Sequence, residues 1–301
     1  MRIDERLASG TEPSFSFEFF PPRTDEGERN LGRALAELSR MDPTFVSVTY
    51  GAGGSPVQKR KTIDIVSSMK TNHGLEAMAH FTCVGATTAE LRETLDLMRD
   101  AGVENVLALR GDPPTGAQTE WVATDGGLEY SRELIELIRD EYDFSIGAAC
   151  FPEVHIHATD ADSDLRYCKE KVDAGARFLI TQLFFENAVY RDFVARAREI
   201  GIDVPIIPGI MPITNFEQIK RITSLCGSAI PDHLLHELGL RADQPGAVSD
   251  FGVAYATLQC ADLLEHGAPG IHFYTLNKSL ATRAILSALR CMAPWRDAVP
   301  V

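Results

Sequence analysis

The chain has 301 residues, 45% hydrophobic and 24% charged, which allows a large buried core and excludes a disordered chain. Its 43 acidic against 29 basic residues give a formal net charge of −14, excluding the overall attraction to nucleic acid or anionic lipid that basic proteins use, while a local basic pocket for a phosphate stays open. No basic-then-apolar leader opens the sequence, no stretch reaches the roughly 18 apolar residues that span a bilayer, and the six scattered cysteines form no CxxC pair, so the expectation is a cytoplasmic chain with reduced thiols and no metal site.

Short β-branched or aromatic runs alternate with amphipathic stretches. In chain order the predicted strands are 14–20, 45–50, 77–82, 105–110, 145–150, 178–184, 205–210 and 270–275. The predicted helices are about 25–41, 56–70, 88–101, 129–141, 162–175, 187–199, 214–225 and 278–290. Additional helical sequence at about 231–238 and 246–266 precedes the last strand and has no assigned role. Eight strands alternating with eight helices predict a (β/α)8 TIM barrel, with 1–301 as one domain. The alternative is an open doubly wound sheet. It usually carries a Gly-rich phosphate loop after the first strand, where this chain has Pro21, Pro22 and Arg23, and the GAGGS run at 51–55 does not fit that loop.

Strand side chains alternate between faces. This groups Ser14, Ser16 and Glu18 on strand one, Ser47 and Thr49 on strand two, and Met78, His80 and Thr82 on strand three. It groups Ala108 and Arg110 on strand four, with Asp112 just beyond, and Ile180 and Gln182 on strand six. In each case a polar residue falls near the strand's C-terminal end, where barrels of this kind build their active sites. Burying them unpaired would cost about 1–3 kcal/mol each, so their convergence points to a site. Glu18 stands among phenylalanines and before Pro21-Pro22. An apolar setting favours the neutral form of a carboxyl, the form a general acid needs. The structural alternative is an ion pair, for instance with Arg110. His80 is balanced between a site role and a hydrogen-bonded core histidine. Arg110-Gly111-Asp112 also matches a cell-adhesion tripeptide, a match that three residues reach by chance. Gly111 would allow a ligand close to the backbone.

The blocks SFEFFPPR (16–23), FVSVTYGAGGS (45–55), EAMAHFTC (76–83), ALRGDPP (108–114), FPEVH (151–155), KVDAGARFLITQLFF (171–185), IIPGIMPITNF (206–216) and HFYTLNKS (272–279) together resemble the methylenetetrahydrofolate reductase family. They run in order from about residue 14 to 290, with one near almost every strand end. The resemblance implies an FAD enzyme in which NADH or NADPH reduces the flavin and leaves. 5,10-Methylenetetrahydrofolate then takes its place and is reduced to 5-methyltetrahydrofolate. It implies Glu18 as the general acid and Asp112 as a carboxylate beside flavin and pterin. It further implies Gln182, Phe216 and Lys278 as folate-side contacts. For FAD it implies Thr49, Tyr50, His80, Arg110, Gly111, Asp112, Phe151, His155, Ala158, Asp164 and Lys171, with His155, Lys171 and the helix start near 162 at the pyrophosphate. Phe151 stands where a tyrosine is common, and Tyr167 and Glu170 where an asparagine and an arginine contact the adenosine part. Lys278 replaces an arginine and keeps its charge without its fork.

The resemblance further implies a homo-oligomer acting on small molecules. The sequence end, soon after the eighth helix, leads us to expect no regulatory domain. Two other readings are a related flavin barrel with another substrate and a non-catalytic folate- or flavin-binding subunit. The first fits the Glu18, Asp112 and Gln182 blocks poorly, and the second gives a general acid nothing to do.

Overall fold

The structure, a computed structural model, describes residues 1–50, 56–112 and 121–297, and the side chains of 56–59 are not considered. The GAGGS run at 51–55 and the two prolines of ALRGDPP lie outside the described residues. The strands are β1 (Ser14–Phe19), β2 (Phe45–Val48), β3 (Ala77–Thr82), β4 (Asn105–Leu109), β5 (Ser145–Cys150), β6 (Phe178–Thr181), β7 (Ile206–Ile207), β8 (Gly209–Ile210) and β9 (Gly270–Tyr274). All pairs are parallel, in the order β7-β6-β5-β4-β3-β2-β1-β9-β8. This is the TIM barrel that the alternation predicts.

The expected strand at 205–210 is present as two short pieces. Pro208 has no N–H to give to a ladder. The piece before it pairs with β6 and the piece after it with β9, so the chain changes partner at the proline. The Pro208 carbonyl still accepts from His272 N–H at 2.9 Å. Gly209 must be glycine here, because a Cβ would lie 2.4 Å from the Thr181 carbonyl and 2.6 Å from Tyr274 Oη.

The helices are α1 (Ile3–Ser9), α2 (Asp25–Leu38), α3 (Pro56–His73), α4 (Thr88–Asp100), α5 (Ser131–Glu141), α6 (Ala161–Ala174), α7 (Asn187–Glu199), α8 (Phe216–Cys226), α9 (Asp232–Gly239), α10 (Pro245–Glu265) and α11 (Leu280–Met292). Thr24, Thr87, Asp160 and Asn215 start α2, α4, α6 and α8 by accepting first-turn N–H groups on their side chains. Among the described residues no helix is long and apolar enough to cross a membrane.

Strand alternation builds two apolar layers. Phe45, Met78, Leu107, Phe178, Ile180 and Ile207 fill the barrel interior. Phe17, Phe19, Val48, Phe81 and Val106 face outward onto Leu31, Leu35, Leu91, Leu134 and Ile138 of the helices. On β4 the inward residues are Leu107 and Leu109, while Ala108 belongs to the outer layer. That corrects the expected grouping of Ala108 and Arg110 on the site face. The period of two shows which residues share a face, not which face is inside.

The short α1 carries no sequence signal of its own. Seven residues are too few for a stable isolated helix, and tertiary contacts hold this one. Ile3 joins the interior layer, its N–H donates to Asn105 Oδ1 at 2.8 Å, and the Asp4 N–H donates to Ser145 Oγ at 3.2 Å. Asn105 and Ser145 begin β4 and β5, so α1 covers the N-terminal end of the barrel.

The stretch at 231–266 acquires a role as well. Leu234 and Leu238 of α9 and Val248 of α10 form a third apolar cluster with Leu183, Phe185, Ile213 and Ile219. Farther along, Ala256, Cys260, Leu263 and Leu264 of α10 join the outer layer. One helix therefore spans both clusters.

Candidate active site

Glu18 sits one residue from the end of β1, in register with Ser47 of β2 and Tyr274 of β9. Its carboxyl is flanked by two histidines. Oε2 lies 3.4 Å from His80 Nε2 and 3.6 Å from His272 Nε2. Both imidazoles are buried, and neither Nε2 has a hydrogen-bond partner. Burial lowers the His80 pKa below its ordinary value, and His272 adds to that, against an upward pull from Glu18. Among the described residues no lysine or arginine pairs with Glu18, so the alternative ion pair with Arg110 does not form. The setting is also less apolar than the flanking phenylalanines suggest, because alternation turns Phe17 and Phe19 outward and Glu18 inward.

The segment after β9 fixes the backbone of Glu18. Thr275 Oγ1 donates to the Glu18 carbonyl at 2.6 Å. Asn277 clamps the next turn twice: its Oδ1 accepts from Phe20 N–H at 3.0 Å and its Nδ2 donates to the Phe20 carbonyl at 2.9 Å. Leu276 and Asn277 both adopt positive φ, a conformation that ordinary residues hold only where contacts over-determine it. Sequence reasoning passed over His272, Thr275 and Asn277. Alternation on the last strand, which puts His272 and Tyr274 on one face, was the available signal for the first.

A second cluster lies at the ends of β5 and the start of α6. Phe151 meets His155 edge-on, with centroids 4.5 Å apart, and Lys171 Nζ stands 5.8 Å from the centre of the Phe151 ring. Lys171 also donates to the Ala149 carbonyl. The buried Asp164 accepts from the His155 N–H at 3.1 Å, and the Ala158 N–H donates to the His155 carbonyl at 2.8 Å. The His155 pKa is pushed down to about 4, first by burial and then by the positive charge of Arg110, His157 and Lys171. Positive groups thus gather round this corner, beside the first turn of α6 capped by Asp160. Glu170 turns away from it, 3.5 Å from Arg132 Nε, and Tyr167 is 54% exposed.

The other expected residues are more dispersed. Thr49 continues the inward alternation of β2. The Tyr50 ring instead meets Phe81 edge-on in the outer layer, 5.7 Å between centroids, which leaves its backbone for any ligand contact. Arg110 lies over the Trp121 ring at 5.3 Å. Gly111 has φ +88°, and a Cβ there would fall 2.4 Å from Val84 Cγ1, so this glycine is required by its own neighbours. Asp112 is exposed at the edge of the described residues. Gln182 accepts from Leu183 N–H at 2.8 Å and borders a small cleft shared with Phe151 and Ser228. Phe216 opens α8, its ring under Lys220 Nζ at 4.4 Å, and Lys278 is exposed. The Lys278 N–H donates to the Thr275 carbonyl at 2.9 Å and Phe216 packs in the same apolar cluster as Tyr274, but among the described residues no side-chain hydrogen bond or ion pair joins Asp112 or Lys278 to either cluster.

Comparison with known proteins bears on the identity of this site. In fold the chain is similar to an uncharacterized protein from Clostridium thermocellum that binds two copies of 5-methyl-5,6,7,8-tetrahydrofolic acid, with a TM-score of 0.66 over 96% of this chain and 98% of that one, at 15% identity. It is 39% identical to the 5,10-methylenetetrahydrofolate reductase of Escherichia coli K12, over 91% of this chain and 90% of that protein. It is 38% identical to methylenetetrahydrofolate reductase (NADH) 1 of Arabidopsis thaliana and 40% identical to a probable methylenetetrahydrofolate reductase (NADPH) of Caenorhabditis elegans. It covers 98% and 97% of itself in those matches, but only 53% and 46% of the relatives, so it spans about half their length. The sequence model described as "Methylenetetrahydrofolate reductase" matches residues 2–290, and the chain belongs to that family.

Proposed function

We propose that this chain reduces 5,10-methylenetetrahydrofolate to 5-methyltetrahydrofolate, with bound FAD as the hydride carrier and NADH or NADPH as the reductant. The observation that carries the reading is the placement of Glu18 at the C-terminal end of a barrel strand, against two buried imidazoles and, among the described residues, no paired lysine or arginine. The folate's five-membered ring must open before its methylene carbon can be reduced. Glu18 gives its proton to the departing nitrogen, the electron pair of the breaking C–N bond goes to that nitrogen, and the methylene carbon is left as an iminium. A positioned acid of this kind contributes about 10²–10⁴ in rate.

The residues present fit FAD. The positive charge of Arg110 and Lys171 beside the neutral His155 ring, next to the start of α6, matches a diphosphate in charge. FAD, when bound, would supply the two-electron hydride chemistry that links the nicotinamide to the folate carbon. Lys171 and His155 would hold the diphosphate, with Phe151 and the Thr49–Tyr50 backbone beside the rest of the cofactor. Asp112 would border the flavin and pterin, and Gln182 would bind the pterin edge through an amide that both donates and accepts. Phe216 and Lys278 would reach the substrate from the other side.

The test is spectroscopic. A purified protein that is yellow, bleaches anaerobically with NADH or NADPH and recolours with methylenetetrahydrofolate supports the function. A protein that cannot be loaded with FAD sinks the cofactor assignment, and one that bleaches without recolouring points to a flavin barrel with another substrate.

A further inference from the structure

His272 stands so far only as a neighbour of Glu18, with no role of its own. It is fully buried on β9, stacked on Phe45 with ring centres 5.9 Å apart and edge-on to Tyr274 at 5.5 Å. One ring nitrogen, Nδ1, lies 2.7 Å from the Ser16 hydroxyl. The other, Nε2, faces Glu18 Oε2 at 3.6 Å and has no hydrogen-bond partner. An unsatisfied buried nitrogen costs about 1–3 kcal/mol, a cost that an aliphatic side chain beside Phe45 would avoid. The histidine is explained if Nε2 acts on the carboxyl it faces.

We propose that His272 is a positioning residue for the proton on Glu18, with Ser16 setting the state of its ring, an inference that rests on the function proposed above. A serine hydroxyl can donate or accept. When Nδ1–H donates to Ser16 Oγ, Nε2 turns a lone pair toward Glu18 and would accept from the carboxylic O–H once the two close from 3.6 Å to hydrogen-bond distance. That arrangement favours the proton-bearing acid before the folate arrives. The groups facing His272 are Ser16 and Glu18 from β1, His80 from β3, Phe45 from β2 and Tyr274 from its own strand, and none is a permanent cation. His272 makes and breaks no bond to substrate. The proton leaves Glu18 for the folate nitrogen, and His272 determines where that proton waits.

The test uses the FAD-loaded protein and follows the two half-reactions separately. His272→Asn keeps a polar group near Nδ1 for Ser16 but falls short of Glu18, while His272→Gln reaches toward Glu18 without the ring. For His272→Asn we expect folate-driven reoxidation slowed at least about tenfold, the size of a lost 1.4 kcal/mol, with bleaching by nicotinamide nucleotide unchanged. The fall-off of reoxidation with rising pH should move to lower pH, because the acid is less well held in its protonated form. His272→Gln should recover part of the loss. Ser16→Ala, a smaller change, should move the pH profile in the same direction by less, and it decides the matter if the His272 variants do not fold. Equal slowing of both half-reactions, or slowing with an unmoved pH profile, overturns the proposal and leaves His272 as packing. A wild-type protein that bleaches but never recolours with the folate overturns the function instead.

Discussion

His80 on β3 reaches past β2 to place Nε2 3.4 Å from Glu18 Oε2 on β1. Burial disfavours the charged form of this imidazole, so it stands beside Glu18 as a neighbour and not as a fixed cation. The pair gives the first prediction. Glu18→Gln keeps the shape and removes the proton donor. Nicotinamide-driven bleaching should stay within about a factor of two of wild type, and folate-driven reoxidation should fall at least about a hundredfold. Stopped-flow absorbance in the flavin band measures both, and wild-type reoxidation in the variant would remove Glu18 as the acid.

The positive corner predicts a pH effect. His155 titrates at about 4 in the folded chain, below the ordinary histidine value of about 6.5. Between those values the unfolded chain binds a proton that the folded chain refuses. This contribution to stability is therefore complete above about pH 6.5 and is lost as pH falls toward 4. Urea unfolding of the FAD-free protein should show stability rising with pH across that window, and His155→Gln should flatten the rise. Adding FAD should raise the His155 pKa in histidine NMR, because a diphosphate offsets the charge of Arg110, His157 and Lys171. An unmoved resonance would place the diphosphate elsewhere.

Asn277→Ala removes both bonds to the Phe20 backbone. Each bond lost from a buried group costs about 1–3 kcal/mol, and the turn after Glu18 loses its clamp. The variant should unfold at lower urea concentration and should slow folate-driven reoxidation more than nucleotide-driven bleaching. Equal effects on the two would mean that the clamp serves stability alone.

Gly252 lies inside α10, where alanine is ordinarily better by about 1 kcal/mol. Here a Cβ would sit 1.9 Å from the Ile213 carbonyl oxygen, and that oxygen is backbone and cannot swing aside. Gly252→Ala should therefore destabilise the protein by about 1–3 kcal/mol against its helix propensity. Chemical denaturation gives the sign directly, and a stabilised variant would contradict the close approach of α10.

Much of the fold is legible in the sequence because its signals are local. Period-two runs mark most strands within one or two residues, though β6 ends at Thr181 and not at 184, and period-3.6 stretches mark the helices behind them. Glu18, Gln182 and the Phe151–Lys171 corner can be named from ordered motifs at strand ends. Four features depend on tertiary structure. Pro208 divides the seventh strand because its missing N–H matters only once β6 and β9 compete for the same run. α1 exists because Asn105 and Ser145 wait at the barrel floor. Leu107 and Leu109, not Ala108, face inward, since alternation fixes parity and leaves the choice of face to closure. His272 meets Glu18 across 254 positions because β9 pairs with β1 to close the barrel. A sequence records which residues share a face, but contacts between distant strands are set when the sheet closes on itself.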